Sequence, residues 1–229
     1  MSKNGKQGGF PSPLPFQTPG EEIANSILHG LGALFAITGL VLLVYRSVKT
    51  GNYSHLALAS YVLFSSSMAI MFLASTLYHA IQHEGAKRVF RILDHSAIYI
   101  LIAGTYTPYS LLGFGGAMGW VYFGIEWTLA AAGISLYAAN WRPIKKAELI
   151  IYILMGWACI WGLPRLFRVL TRASIVFFLA GGISYTLGTL WYARGNRRGS
   201  HVVWHVFVLA GAVCHWLSIW FIELLAKLG

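Results

Sequence analysis

Acidic side chains are almost missing from this chain. Of 229 residues, 7 are Asp or Glu, and Asp94 is the single aspartate. Charged residues of both signs make up 10% of the sequence, against about 25% in an ordinary soluble domain. That leaves too few charges to coat a water-facing surface. Cysteine is equally scarce. Cys159 and Cys214 stand alone in apolar runs, with no spacing that suggests a disulfide framework or a Cys-type zinc site. Free cysteines in such runs pack as small hydrophobes. There is no P-loop, no dinucleotide-binding glycine pattern, no G-x-S-x-G elbow and no long internal repeat.

What the chain has is apolar length. It is 57% hydrophobic, with a mean hydropathy of +0.62. Apolar windows fall at 25–45, 56–79, 92–113, 117–139, 147–163, 173–193 and 201–226. About 20 apolar residues in a helix cross the hydrocarbon core of a bilayer. Hydrocarbon also removes the need for a charged coat, because only helix ends meet water. The expected fold is therefore an all-α membrane protein, a seven-transmembrane helix bundle forming one domain over 21–229. Residues 1–20 are rich in Gly and Pro and lack the charged start and apolar core of a cleavable signal, so they read as a flexible cytoplasmic tail. The fifth window is the weakest, being short and ending at Pro164. The Thr105-Tyr106-Thr107-Pro108 run marks a kink in the third helix.

Lys and Arg orient the bundle. The tail and the 2–3, 4–5 and 6–7 loops hold eleven basic residues, and the opposite ends hold six, among them Arg165, Arg168 and Arg172 of the 5–6 loop. That bias puts the N-terminus in the cytoplasm and the C-terminus outside. The net charge of +10 is thus mostly loop charge, which attracts anionic lipid. Membrane lipids are the expected partners. No basic face for nucleic acid is visible, and no feature specifies an oligomeric state.

Ionisable groups inside spans are costly and default to function. Most of those here gather at one end. Asn25 and His29 lie early in the first span, and Ser75 and His79 end the second. Asp94 and His95 begin the third, and His201 and His205 begin the seventh. With alternating helix direction these four segments meet at one depth, near the cytoplasm. Residues four apart share a helix face, so His201 and His205 can turn both imidazoles to one ion, with His79 giving a third nitrogen. Three His ligands and an open position are the arrangement of catalytic Zn2+. Such an ion lowers the pKa of its water to about 7. Asp94 is placed to take a proton from that water, to orient it, or to fill the fourth position. Ser75 is placed to hydrogen-bond the water or a substrate oxygen. A hydrogen-bonded histidine clamp between helices is the competing reading of the same residues. His215 lies ten residues beyond His205, about 15 Å along the helix, and reads as a packing or hydrogen-bonding group. His29 reads as a supporting or helix-pairing residue. His95 points about 100° away from Asp94 and is the weaker candidate. Glu126 sits near the middle of the fourth span, where a proton-relay role or a hydrogen-bonded neutral carboxyl both fit.

Four segments, EEIANSILHGLGA, ASTLYHA, LDHSAIYILIAGTYTPY and HVVWHVFVLAGAVCHW, resemble the bacterial hemolysin III family, in order and at the expected span ends. That family is the prokaryotic branch of the progestin and adipoQ receptor (PAQR) group. The resemblance covers nearly all of the chain from residue 21 onward. It implies seven helices in the bacterial inner (plasma) membrane, a cytoplasmic N-terminus and a zinc ion near the cytoplasmic side. Carried over residue by residue, it makes His79, His201 and His205 the metal ligands and puts Asp94 and Ser75 beside them. Alkaline ceramidases, zinc-dependent lipid amide hydrolases, are similar at the wider superfamily level. Glu126 belongs to no family motif. The expected function is a zinc-dependent hydrolase of lipid amide or ester bonds, with Asp94 and Ser75 catalytic. The rivals are a non-enzymatic, receptor-like sensor with structural zinc, a pore-forming hemolysin, and a proton-coupled transporter using Glu126.

Overall fold

The computed structural model describes residues 14–15, 17–51, 54–195 and 197–222. Most of the expected tail and the last part of the 201–226 window lie outside the described residues.

The first helix, α1 (Pro19–Lys49), begins inside the stretch expected to be tail. Its local chemistry explains this. The Thr18 hydroxyl accepts from Glu21 N, and the Glu21 carboxylate accepts from Thr18 N at 2.8 Å, forming a capping box. Pro19 sits in the first turn, where its missing N–H costs nothing. Ile23, Ile27, Leu31, Leu34, Ile37, Val41, Tyr45 and Val48 form an outward stripe, each 53–64% exposed. The inward face holds Asn25, His29, Gly32, Ala36 and Gly39. Apolar outside and polar inside reverses the pattern of a helix on a water-soluble protein and suits hydrocarbon solvent.

Next come α2 (His55–Ala80) and α3 (Glu84–Pro108), which runs on through a π-helical turn at Tyr109–Phe114. Then follow α4 (Gly116–Ala138), α5 (Arg142–Gly156), a 3-10 turn at Ala158–Gly162, α6 (Leu163–Val169), α7 (Arg172–Tyr192) and α8 (Ser200–Trp220). There is no strand among the described residues. Six helical stretches are long and apolar enough to cross a membrane, which makes this a multi-pass membrane protein. They are α1, α2, α3 with its π turn, Ala147–Val169, α7 and α8. The remaining long helix, α4, spans 23 residues but is diluted by Glu126, glycines and aromatic residues.

Two expectations are revised. Pro164 does not end the fifth span; it occupies the first turn of α6, where proline is tolerated, and the path continues to Val169. The break before it is satisfied by a side chain. Tyr106 Oη donates to Gly156 O and accepts from Cys159 N, both at 2.9 Å. Those are the backbone groups that the interrupted helix leaves without partners. The third helix starts at Glu84 rather than 92. Lys87, Arg88 and Arg91 lower the hydropathy there, yet the His83 side chain caps Ala86 N and Glu84 suits a first turn. The expected irregularity at Pro108 takes the form of the π turn, because proline has no N–H to return to Gly104.

The core is centred on α3, whose apolar stretch is 83% buried against 28% for α7. α2 packs against α1 and α3, α7 against α8, and α1 closes against α8. Close approach depends on small residues: a Cβ on Gly104 would lie 2.3 Å from Ser67, and one on Gly32 would lie 2.7 Å from Phe72. These contacts bring the end of α2 and the start of α8 beside α1.

Candidate metal centre

His79 is the penultimate residue of α2 and has no solvent exposure. Its Nδ1 lies 2.7 Å from Glu22 Oε2. The other Glu22 oxygen accepts from Lys87 Nζ at 2.8 Å. A carboxylate on Nδ1 fixes the tautomer that leaves Nε2 free to ligate, which is how metal-binding histidines are commonly held. His79 Nε2 is buried with no protein partner among the described residues.

His201 and His205 face it from the first two turns of α8. The i, i+4 spacing places their Nε2 atoms 3.0 Å apart. The ligand atoms of His79, His201 and His205 all lie within 4.8 Å of one another. Nitrogens around a tetrahedral zinc at about 2.0–2.1 Å would be about 3.3 Å apart. The donor set therefore fits a metal ion with only small side-chain movement. The α8 start is itself anchored, because Gly199 N donates to the Glu21 carboxylate. Adjacent glutamates of α1 thus hold the two halves of the site, Glu22 through His79 and Glu21 through the first turn of α8.

The other sequence-derived candidates gather around one cavity of about 110 Å3. By this measure one water needs about 10–15 Å3, so the space accommodates several waters or part of a chain. Ser75, Asp94, His95, His201 and His205 are on its wall, with apolar side chains such as Ile98, Leu101, Phe178 and Val208. Ser75 is 1% exposed and its Oγ has no protein partner among the described residues. Asp94 is 8% exposed. It shares the cavity with His201 and His205 without joining the tight three-histidine cluster. His29 stacks on His205 at 3.8 Å between ring centres and meets Phe72 edge-on at 5.0 Å. His215 occupies a different part of the cavity wall, with its Nδ1 3.3 Å from Tyr109 Oη. Glu126 is fully buried and takes no part in this wall.

Sequence reasoning missed Glu22 and Glu148. Glu22 lies in the first turn of α1, where the helix dipole alone is enough to explain an acid. Its contact with His79 joins residues 57 apart. Glu148 reaches His95 Nδ1 at 3.1 Å across 53 residues. The one available signal was that an acid inside a span needs a partner.

The family described as Haemolysin-III related matches residues 17–216. Hemolysin-3 of Bacillus cereus is 40% identical over 201 residues, covering 88% of this chain and 91% of that protein. The Hemolysin-3 homolog of Bacillus subtilis (strain 168) is 37% identical over 201 residues, covering 88% and 93%. The monocyte to macrophage differentiation factor of Homo sapiens is 26% identical over 210 residues, covering 87% and 83%, consistent with the wider PAQR group. The matched span contains the cap of α1, all three clustered histidines and the cavity wall, and this chain belongs to the haemolysin-III related family.

Proposed function

We propose that this protein is a zinc-dependent hydrolase of lipid amide or ester bonds, working inside the bacterial plasma membrane near its cytoplasmic face. The observation that carries this reading is the three-imidazole cluster of His79, His201 and His205, two of whose members, His201 and His205, share the wall of one mainly apolar cavity with Ser75 and Asp94. An all-imidazole donor set suits zinc. A zinc ion held there supplies a Lewis acid and acidified water. Asp94 takes the proton that the attacking water gives up. Ser75 Oγ, without a protein partner among the described residues, donates to the carbonyl oxygen as negative charge builds on it. Glu22 keeps His79 in its ligating tautomer. The apolar wall receives the acyl chain and excludes bulk water.

In this reading α4 is the seventh span. Lys87, Arg88 and Arg91 in the first turns of α3 and the Arg197-Arg198 pair before α8 lie at the metal end, which the positive-inside rule assigns to the cytoplasm.

The test is metal content by mass spectrometry on detergent-purified protein, beside a lipid amide and ester panel. About one zinc per chain is expected. Loss of both metal and turnover in His201→Ala/His205→Ala supports the reading. Absence of metal after zinc is supplied overturns it. Stoichiometric zinc without turnover on any lipid removes hydrolysis and leaves a structural metal.

A further inference from the structure

A second histidine–carboxylate pair faces the same cavity. His95 Nδ1 lies 3.1 Å from Glu148 Oε2, and Tyr192 Oη donates to Glu148 Oε1 at 3.0 Å. Both carboxylate oxygens are therefore used as acceptors. Tyr152 Oη donates to the His95 carbonyl at 2.8 Å and fixes the backbone at that point. The His95 ring lies flat against Tyr137, 5.1 Å between centres with planes 11° apart, and Tyr192 meets it edge-on at 6.5 Å. Three helices, α4, α5 and α7, thus immobilise one imidazole of α3. His95 and Glu148 are each 8% exposed, and His95 lines the cavity together with Asp94 and His201. Tyr192 links the two centres, since its ring is 6.1 Å from that of His201.

Such a clamp specifies more than packing. Glu148 fixes Nδ1 as the nitrogen that donates to it, so Nε2 is the atom left to exchange a proton with the cavity. It also supplies the counter-charge that a protonated imidazole needs away from bulk water. The arrangement repeats the Glu22–His79 pair, but His95 stands outside the metal-ligating cluster. A fixed imidazole beside a hydrolytic centre has one evident task, because the leaving nitrogen of an alkyl amide cannot depart without a proton.

We propose that His95 is the general acid of the reaction and that Glu148 is its positioning residue; this rests on the hydrolase reading given above. Water oxygen bonds to the carbonyl carbon while Asp94 takes the water proton. The C–N bond then breaks, and its electron pair takes the proton from His95 Nε2. The proton on Asp94 returns to His95 through cavity water. An amide and a water become a carboxylic acid and an amine.

Leaving-group dependence tests this. Zinc-loaded wild type, His95→Gln and Glu148→Gln are compared on a long-chain N-alkyl amide and on the p-nitrophenyl ester of the same acid, with zinc content and thermal stability measured for each. p-Nitrophenolate departs without a proton; an alkylamine does not. The expected result is a fall in kcat on the amide of about 100-fold or more for His95→Gln, with ester turnover within about threefold and zinc content unchanged. Glu148→Gln, which keeps an acceptor for Tyr192, shows the same selectivity to a smaller degree and serves if His95→Gln does not fold. Equal losses on both substrates, or no loss on either, overturn the role of His95 and leave the hydrolase reading intact. A zinc-loaded wild type that cleaves neither substrate, nor any lipid of the panel, overturns both.

Discussion

Glu22 offers the most direct test of how the proposed metal centre is built. It stands outside the three-histidine cluster, yet its Oε2 is 2.7 Å from His79 Nδ1 and its Oε1 is 2.8 Å from Lys87 Nζ. Glu22→Gln keeps an acceptor for the Nδ1 proton but removes the negative charge. Glu22→Ala removes the acceptor as well, so the imidazole is free to place its proton on Nε2, where it blocks ligation. Outer-shell partners of this kind are worth about 10–100-fold in metal affinity. At about 1.4 kcal/mol per decade this is about 1.4–2.8 kcal/mol. Glu22→Gln is expected at the lower end and Glu22→Ala at the upper. The alanine variant also removes the carboxylate from Lys87, which is 8% exposed and keeps the Ile81 carbonyl and the Tyr78 ring, and breaking a buried ion pair costs about 3–5 kcal/mol of fold stability. The glutamine variant is therefore the cleaner probe of affinity, and thermal melting separates the two effects. The assay is competitive zinc titration against a chromophoric chelator, with His79→Ala as reference. If both Glu22 variants hold zinc as tightly as wild type while His79→Ala loses it, the carboxylate does not tune the ligand and the reasoning fails.

Further expectations concern the cavity and the packing. Asp94→Asn should retain zinc and lose about 100-fold or more in lipid turnover, the scale of a missing general base; loss of zinc instead would make Asp94 a ligand. Ser75→Ala should retain zinc and lower kcat about tenfold or more with little change in KM, because the hydroxyl acts on charge developed in the transition state. Gly104→Val should lower thermal stability by about 1–3 kcal/mol or more, since its Cβ alone would stand 2.3 Å from Ser67; an unchanged melting temperature would mean that α2 and α3 can slide apart freely. Tyr106→Phe should destabilise the α5–α6 region by about 1–3 kcal/mol, read as faster amide exchange around Cys159, because Gly156 O and Cys159 N lose their shared partner.

The long helices were legible because apolar length in the sequence and helix length share one cause, the thickness of the hydrocarbon. The windows 56–79, 117–139 and 173–193 match α2, α4 and α7 to within a residue. The three histidines were legible because two share a helix face and the third ends a neighbouring span. What stayed hidden was decided by tertiary contact. Pro164 looks like a stop, and only the Tyr106 hydroxyl, reaching over from α3, shows why the path can break and resume. Glu22 and Glu148 each have a sufficient local explanation as helix-terminal or loop-side acids, so nothing nearby in sequence announces a histidine more than 50 residues away. His95 was ranked low because adjacent helical residues diverge by about 100°. The cavity is broad enough for both Asp94 and His95 to reach its wall.

The five residues Thr18–Glu22 hold together three things that lie far apart in the chain: the start of α1, the His79 imidazole and the first turn of α8. Disturbing these residues therefore reaches the three-histidine cluster. A purification tag, signal or partner fused close to Thr18, or a protease cut just past it, would loosen His79 and the His201–His205 turn together. A metal ion held by the three histidines would then be bound less tightly. Placing tags on the far terminus, and checking occupancy before any assay, follows from the contacts that Glu21 and Glu22 make.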